Sequence, residues 1–258
     1  MIFYFTATGN CLYVAKQLDD NLVSIPQVKS GGAFEDDKIG IVAPVYGGEL
    51  PNIVLSFIKS STFQTPYLYL ILTYGHDATD SAEYTYNQCK ALGKEFNYVN
   101  NLLMVDNYLP NFDIEKEKAV DKKIPEQLTQ IKSDIESRKK YVPVASKQAK
   151  TGHKMFRKMS KLFPALIDGS ALEMTDKCIG CTLCTKVCPT GNLVMESGKA
   201  KRVNKKCEFC LACIHACPNN AIALKREKNP NARFLNENIN INEIINSNNQ
   251  FKQSGGIV

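Results

Sequence analysis

Long apolar runs are missing from this chain of 258 residues. The opening segment, MIFYFTATGNC, has no basic residue, and its apolar run stops at Phe5. No stretch reaches the roughly 18 uninterrupted apolar residues of a membrane-spanning helix. We therefore expect a cytoplasmic protein that is neither secreted nor membrane-spanning. Because 44% of the residues are apolar and 22% are charged, the chain can bury a sizeable core, which excludes wholesale disorder.

Cysteine is scarce in the first two-thirds of the sequence, where only Cys11 and Cys89 occur. The other eight cysteines lie between Cys178 and Cys217. Ten cysteines in a short secreted chain would indicate disulfides, but without a secretion signal they indicate metal or redox chemistry. Charge is divided in the same way, because residues 1–137 hold 11 basic and 18 acidic residues whereas residues 138–258 hold 21 and 8. Both asymmetries predict two modules.

Acidic residues are absent from residues 138–161, which hold nine basic ones. A charge run of this kind is typical of a solvated helical connector. The functional alternative is a docking site for an acidic electron-transfer partner or for the acidic first module. Nucleic acid is the least favoured partner, because no recognised binding motif accompanies the charge.

Short β-rich runs alternate with helical patterns in the first module, which predicts a parallel sheet flanked by helices. The predicted strands are residues 2–5, 22–25, 39–43, 67–72 and 98–105. Apolar stripes with helical spacing begin at Cys11 and follow Pro51 and Pro125. Asp80 and Glu83 resemble a capping pair before a further helix. The predicted fold class is α/β, a five-stranded doubly wound parallel sheet followed by a small α+β domain.

A duplicated cysteine spacing is the most specific signal in the chain. Each of four cysteines recurs 29 residues later, so the segment is an internal repeat of C-x2-C-x2-C-x3-C-P. Three cysteines at this spacing can wrap one loop around three irons of a cubic cluster, but the fourth lies too far along to cap the same cube. Pairing the repeats gives one cluster to Cys178, Cys181, Cys184 and Cys217, and the other to Cys207, Cys210, Cys213 and Cys188.

Residues 171–226 resemble the two-cluster bacterial ferredoxins, which bind two [4Fe-4S] clusters through this ligand run. The alternative is zinc, since four thiolates also suit a tetrahedral zinc ion. Zinc ribbons and fingers usually pair two C-x2-4-C knuckles, so the spacing favours iron–sulfur. The resemblance implies a module that carries electrons one at a time and does not by itself transform a substrate.

A hydroxyl-rich loop with one glycine follows the first predicted strand and leads into a helix. Its residues are Thr6, Thr8, Gly9, Asn10 and Cys11. Hydroxyl donors, free backbone N–H groups and the positive end of the helix dipole together suit a phosphate group. The loop also stands at the carboxyl end of a strand, where ligands bind in open α/β sheets.

This Thr-x-Thr-Gly-Asn run resembles the FMN phosphate loop of flavodoxins. Two later loops agree with the resemblance and imply flavin contacts by Tyr46 and Gly47, and by Thr73, Tyr74 and Gly75. Tyr46 would stack on or line the isoalloxazine ring, the alternative being an ordinary surface tyrosine. Flavodoxins usually have a hydroxyl residue at the position of Cys11, whose thiol is a weaker donor, so one phosphate contact is lost or replaced. We interpret Cys11 mainly as a helix residue that packs inward, and Cys89 as a core cysteine.

The two parts together resemble a family of flavodoxin–ferredoxin fusion proteins of anaerobic metabolism. The resemblance implies FMN and two [4Fe-4S] clusters acting in electron transfer, with the flavin coupling one-electron to two-electron carriers. No G-x-G-x-x-G follows a predicted strand, so we expect electrons from a redox partner protein rather than from a built-in NAD(P)H site. One alternative is a ferredoxin-type carrier whose flavodoxin-like domain lacks flavin and acts as a docking scaffold. Another is a flavin-dependent reductase of a small acceptor, and no catalytic residue is assigned for either.

Four segments follow from these features. Residues 1–137 are the predicted FMN-binding domain, and residues 138–170 are the basic, helical connector. Residues 171–226 are the two-cluster domain. Residues 227–258 are a polar tail, and an apolar pattern at 241–245 suggests that it partly packs back.

Overall fold

The computed structural model describes residues 1–28, 31–164, 167–203 and 207–251. Its N-terminal part contains seven strands: β1 (Ile2–Tyr4), β2 (Leu22–Ser24), β3 (Ala33–Glu35), β4 (Ile39–Pro44), β5 (Thr62–Gln64), β6 (Leu68–Tyr74) and β7 (Tyr98–Leu103). Five of them form one sheet in the order β2-β1-β4-β6-β7, with every neighbouring pair parallel. The predicted five-stranded parallel sheet is confirmed, with strand ends shifted by one or two residues.

The central strands of this sheet are buried along almost their whole length. β4 and β6 read as nearly continuous apolar runs, which is typical of parallel strands covered on both faces. Within β4, Gly40 lies directly under the ring of Tyr69, and a Cβ at this position would come within 2.3 Å of that ring. The short strands β3 and β5 form a separate parallel pair that the sequence analysis did not predict.

Five helices accompany the sheet: α1 (Asn10–Leu18), α2 (Asn52–Ser60), α3 (Ser81–Ala91), α4 (Ile114–Lys118) and α5 (Ile124–Glu136). Their apolar stripes face the core, as Val14 in α1, Ile58 in α2 and Ile131 in α5 show by their near-complete burial. Pro51 immediately precedes α2, and Pro125 lies in the first turn of α5, where proline is tolerated. The helices predicted after these two prolines are present.

Asp80 and Glu83 do not form the predicted capping pair, because no side chain caps α3. Asp80 instead places Oδ1 2.5 Å from Nδ1 of His153. Glu83 accepts hydrogen bonds from the backbone N–H of Ala145 at 2.7 Å and from Lys150 at 2.6 Å. Both carboxylates therefore hold the following connector against the sheet domain.

The connector contains one long helix, α6 (Lys147–Leu162), which starts after Ser146. The Ser146 hydroxyl accepts a hydrogen bond from the N–H of Ala149, which caps the helix. The inner face of α6 buries His153 and Ser160. The guanidinium of Arg157 pairs with the carboxylate of Glu49 and also lies 4.5 Å from the centre of the Tyr84 ring.

The C-terminal part is a small α+β unit with two antiparallel strand pairs. Its elements are β8 (Leu172–Met174), α7 (Leu183–Val187), β9 (Leu193–Glu196), β10 (Lys199–Arg202), α8 (Ala212–His215) and β11 (Ile222–Leu224). β8 pairs with β11, and β9 pairs with β10. Its apolar core includes Ile214 and Ile222, and it also takes in Leu109 and Ile114 from the N-terminal part. The two parts therefore share buried surface.

The last described helix, α9 (Ile241–Asn248), packs back onto the first strand and its loop. Ser247 hydrogen bonds with the hydroxyl of Tyr4 at 2.8 Å. The buried amide of Asn248 donates to the carbonyl oxygens of Thr6 at 2.8 Å and Val187 at 3.2 Å, so one side chain joins the sheet to the cysteine-rich unit. Residues 252–258 of the predicted tail lie outside the described residues. No helix within the described ranges is long and apolar enough to cross a membrane.

We expect the substitution Asn248→Ala to lower the free energy of unfolding by about 1–3 kcal/mol, because it leaves two buried carbonyl groups unpaired. The measurement is the urea midpoint of the folded chain under anaerobic conditions. Asn242→Ala, at an exposed position of the same helix, is the matched control and should leave the midpoint unchanged. Equal midpoints for both variants would contradict the bridging role of Asn248.

Candidate metal centres

Two cavities in the C-terminal unit are lined by cysteines. The first encloses about 410 Å³, including open solvent at its mouth, and its lining contains Cys178, Cys181, Cys184 and Cys217. The second encloses about 400 Å³ on the same basis, and its lining contains Cys188, Cys207, Cys210 and Cys213. Each cavity thus receives three cysteines from one repeat and the fourth from the other. The structure brings together the same two sets of four that the spacing predicts.

The backbone geometry of the two repeats is also duplicated. Gly180 and Thr182 have positive φ angles of 72° and 67°, and their counterparts 29 residues later, Phe209 and Leu211, have 49° and 60°. These left-handed residues turn the chain so that successive cysteines point into one cavity. Residues other than glycine adopt this conformation at a cost. The same turn thus recurs in both repeats, although three of the four residues are not glycine.

Backbone N–H groups donate to sulfur at equivalent positions. Asn192 donates to Cys188 and Ala221 donates to Cys217, each over 3.2 Å and each from four residues further along the chain. Hydrogen bonds of this kind stabilise the thiolate form, and in iron–sulfur proteins they help set the reduction potential of the cluster.

Burial disfavours the thiolate form of several other cysteines in the two sets. It raises the pKa of the Cys184 thiol to about 11 and the pKa of Cys210 and Cys213 well above their ordinary value. The pKa of Cys178 is lowered, because the N–H groups of Gly180 and Ala200 donate to its sulfur. A thiolate at the buried positions needs the positive charge of a metal to offset the loss of hydration.

The donor set fits iron–sulfur clusters better than single metal ions. A zinc ion at about 2.3 Å from each sulfur requires the four sulfurs to lie roughly 4 Å apart. Within the described residues, no three Cys, His, Asp or Glu side chains converge closely enough to hold one metal ion. Four thiols spread around a cavity suit a cube in which each cysteine binds a different iron.

The residues predicted to bind FMN lie together at the carboxyl edge of the sheet. Cys11 and Thr73, from two different predicted flavin loops, are both buried, with their Sγ and Oγ1 atoms 3.1 Å apart. Tyr74 is the last residue of β6 and Gly75 follows it, and both are half-buried. Gly75 lies against Asp106, so a Cβ at this position would come within 2.3 Å of that carboxylate.

The predicted phosphate loop is covered by the tail. Gly9 has a φ of 102°, and a Cβ there would come within 2.8 Å of Asn236. Asn236 also donates its N–H to the carbonyl oxygen of Thr8 and its amide to Oδ1 of Asn10. The side-chain amide of Asn107 donates to Oγ1 of Thr8 at 2.7 Å.

The exposure of this loop tests whether it could take a phosphate. Thr6 and Thr8 are only 1% and 2% exposed, so even water hardly reaches them. A phosphate group is larger than water. The loop therefore does not fit a phosphate in this arrangement, and the tail segment around Asn236 would have to move to admit one.

The predicted flavin loop that contains Tyr46 and Gly47 is covered by α6 and by the cysteine-rich unit. A Cβ on Gly47 would come within 2.5 Å of the Phe156 ring, and one on Gly48 within 2.7 Å of His153. Burial raises the pKa of Tyr46 well above its ordinary value. Tyr46 packs against the apolar cluster that includes Cys11 of the predicted phosphate loop and Cys210 of the second cysteine cavity.

Glu208 makes a contact that the sequence analysis missed. Its carboxylate accepts hydrogen bonds from the backbone N–H groups of Asn52 at 2.8 Å and Ile53 at 3.0 Å, and so caps the N-terminus of α2 from the other module. Burial raises the pKa of this carboxyl group. The residue stands between Cys207 and Cys210, where nothing in the sequence marks it as a capping group.

His215 is a second contact between the modules that the sequence analysis missed. Its Nε2 lies 2.9 Å from the carbonyl oxygen of Asn107, and its Nδ1 accepts a hydrogen bond from the N–H of Phe234 at 3.1 Å. Burial lowers the pKa of His215 to about 4, which keeps the ring neutral, as these two roles require. The ring thus links the sheet domain, the second cysteine helix and the tail.

The comparison with protein-family models assigns the C-terminal part. Residues 171–241 match the model of a 4Fe-4S dicluster domain. The comparison with curated proteins gives no match. The C-terminal part is therefore a ferredoxin-like dicluster domain, which implies iron–sulfur electron transfer with redox partners.

The two remaining cysteines are expected to be inert. Burial raises the pKa of Cys11 to about 12, against a smaller opposing effect of the Thr73 hydrogen bond, and burial also raises the pKa of Cys89 to about 12. At pH 8 we expect both thiols of the cluster-loaded chain to react with iodoacetamide roughly a thousandfold more slowly than the same thiols in denaturant, because the thiolate is the nucleophile. Peptide mapping of the alkylated cysteines measures this. Rapid labelling of native Cys11 would contradict its burial.

Proposed function

We propose that this chain is an electron carrier that holds two [4Fe-4S] clusters, one bound by Cys178, Cys181, Cys184 and Cys217 and the other by Cys188, Cys207, Cys210 and Cys213. The observation that carries the proposal is the sorting of eight cysteines into two cavities, each with three sulfurs from one repeat and one from the other. When bound, each cluster supplies storage and release of a single electron.

The two short helices of the repeat support a close spacing of the two sites. Cys184 lies in α7 and lines the first cavity, whereas Cys188 follows the same helix and lines the second. Cys213 and Cys217 have the reverse arrangement around α8. Four helical residues span about 6 Å, so each helix connects one cavity to the other over a single turn.

We further propose that the N-terminal sheet is a docking scaffold for this domain. The support is the covering of the carboxyl edge: Glu208 caps α2, Asn236 packs on Gly9, and Asn248 binds the carbonyl group of Thr6. These contacts come from the cluster-bearing part and its tail. They occupy the edge at which an open α/β sheet ordinarily binds a ligand.

A flavoprotein that couples FMN to the clusters is the second candidate. It is favoured by the strand order β2-β1-β4-β6-β7, which is the 2-1-3-4-5 order of flavodoxins, together with the Thr-x-Thr-Gly-Asn loop at its switch point. In that case Thr6, Thr8 and Asn10 would hold the phosphate after displacement of the tail. A flavin-dependent reductase of a small acceptor requires the same displacement.

Paired substitutions test the assignment of ligands. We expect Cys178→Ser/Cys217→Ser to retain about four iron and four sulfide per chain, because both changes fall on one cluster. Cys178→Ser/Cys188→Ser should retain almost none, because it damages both clusters. Iron and sulfide analysis and EPR spectra of the dithionite-reduced, anaerobically purified variants measure this. The reverse pattern would show that each repeat binds its own cluster.

Flavin content distinguishes the two candidates. We expect chain purified without oxygen, and then incubated with excess FMN, to hold far less than one flavin per chain, because the loop at Gly9 is closed. Fluorescence of flavin released by acid measures this, with a flavodoxin of known content as the control. About one FMN per chain would overturn the scaffold proposal and support the flavoprotein.

A further inference from the structure

The solvent side of α6 combines exposed apolar side chains with unpaired positive charge. Among the described residues, seven of the twelve large hydrophobic side chains that are exposed lie between residues 141 and 167. We use the name connector surface for the exposed residues at the end of α6 and just beyond it, which are Lys154, Met155, Lys158, Met159, Lys161, Leu162 and Phe163.

The connector surface has helical order. Met155, Met159 and Leu162 are spaced i, i+4 and i+7, so they form one stripe, and they are 69%, 45% and 76% exposed. Lys154 and Lys158 flank the stripe, and within the described residues neither makes an ion pair. The opposite face of α6 already holds the helix on the sheet domain through His153 and Arg157. The stripe takes no part in these contacts.

Apolar side chains that cluster on a surface, rather than being scattered singly, indicate an interaction site. Methionine is common at such sites, because its flexible side chain adapts to different partners. The charge of the flanking lysines selects an acidic partner, since residues 138–161 contain no acidic side chain.

Short contacts link the helix that carries the connector surface to the second cysteine cavity. Phe156, on the same helix, packs against Gly47, and α2, which follows this loop, begins at the carboxylate of Glu208, between Cys207 and Cys210. After the helix, the chain returns to the cavity at Gly169, where a Cβ would come within 2.6 Å of Cys207 Sγ. A protein bound here would thus contact a segment that is linked on both sides to the second cluster site of the proposed carrier.

We infer that the connector surface is the docking site for a small acidic redox protein. This inference rests on the proposed function, since it names the kind of partner that the carrier serves. With its clusters bound and reduced by a one-electron donor protein, the chain would pass one electron to the oxidised prosthetic group of the docked protein, which is reduced as the cluster is oxidised. The lysines steer and orient the partner, and the Met155–Met159–Leu162 stripe supplies the apolar centre of the contact.

The experiment measures the affinity of the cluster-loaded chain for two oxidised probes, an acidic flavodoxin and an acidic two-cluster ferredoxin, by calorimetry at low and physiological salt. We expect Lys154→Glu/Lys158→Glu to weaken binding at least about tenfold at low salt. The matched control, Lys59→Glu/Lys116→Glu, makes the same change in net charge at exposed positions elsewhere and should have little effect. Met155→Gln/Met159→Gln should weaken binding about threefold or more, with the salt dependence preserved.

Four results would overturn the docking site. The first is that the native chain has no affinity for either probe. The second is that the charge variant and its control lose the same amount of affinity, and the third is that all three variants keep their affinity. The fourth is that sedimentation shows the surface joining two copies of this chain. Lysine-dependent binding to phosphatidylserine vesicles with unchanged affinity for both probes would assign the surface to membranes instead. Iron and sulfide content of each protein separates the two proposals. Fully loaded variants with unchanged affinity contradict only the docking site, whereas a native chain without clusters contradicts the proposed function.

Discussion

The reach of a cysteine side chain is the constraint on which the rest of this structure depends. Three cysteines in one loop can face one cavity, but Cys188 and Cys217 stand after a helical turn and face the other cavity. Each repeat is therefore incomplete without its counterpart. The two halves of the domain must fold against each other before either cavity is lined by four cysteines. This explains why the backbone turns and the N–H to sulfur bonds are duplicated with the same 29-residue offset.

The same domain satisfies polar groups that the sheet leaves open. The N-terminus of a helix has N–H groups without intrahelical partners, and in α2 two of them bind the carboxylate of Glu208. In the first loop the open groups are acceptors, and they bind side-chain amides from Asn236 and Asn248 of the tail and from Asn107 of the sheet domain itself. A ligand with negative charge could replace Glu208 at the N–H groups of α2, but it could not replace these amides, because it offers no donors.

Periodic features were predictable from the sequence because they depend on local pattern. The buried strand β6 and the stripes of α1 and α5 follow from the spacing of apolar residues, and the cysteine repeat follows from its fixed offset. Features that depend on distant partners were not predictable. Asp80 has the sequence signature of a cap, but His153, 73 positions later, takes its carboxylate. β3 and β5 have three residues each, too few to show the alternation of a strand.

The candidate sites divide along the same line. The two sets of four cysteines could be predicted, because they depend only on the type of residue and on the spacing along the chain. The loop from Thr6 to Cys11 was recognisable as a phosphate-binding pattern, yet its accessibility depends on asparagines more than 200 residues away. No local reading of the loop can show what packs on it.

The hydrogen bond between Tyr4 and Ser247 joins residues 243 positions apart. During synthesis, the strands and helices of the N-terminal part leave the ribosome before the cysteine repeats and can begin to fold without them. Asn236 and Asn248 cannot cover the first loop until both repeats have been translated, because both residues follow the repeats in the chain. The covering of the loop is therefore a late event in folding, and it takes place only after all eight repeat cysteines have left the ribosome.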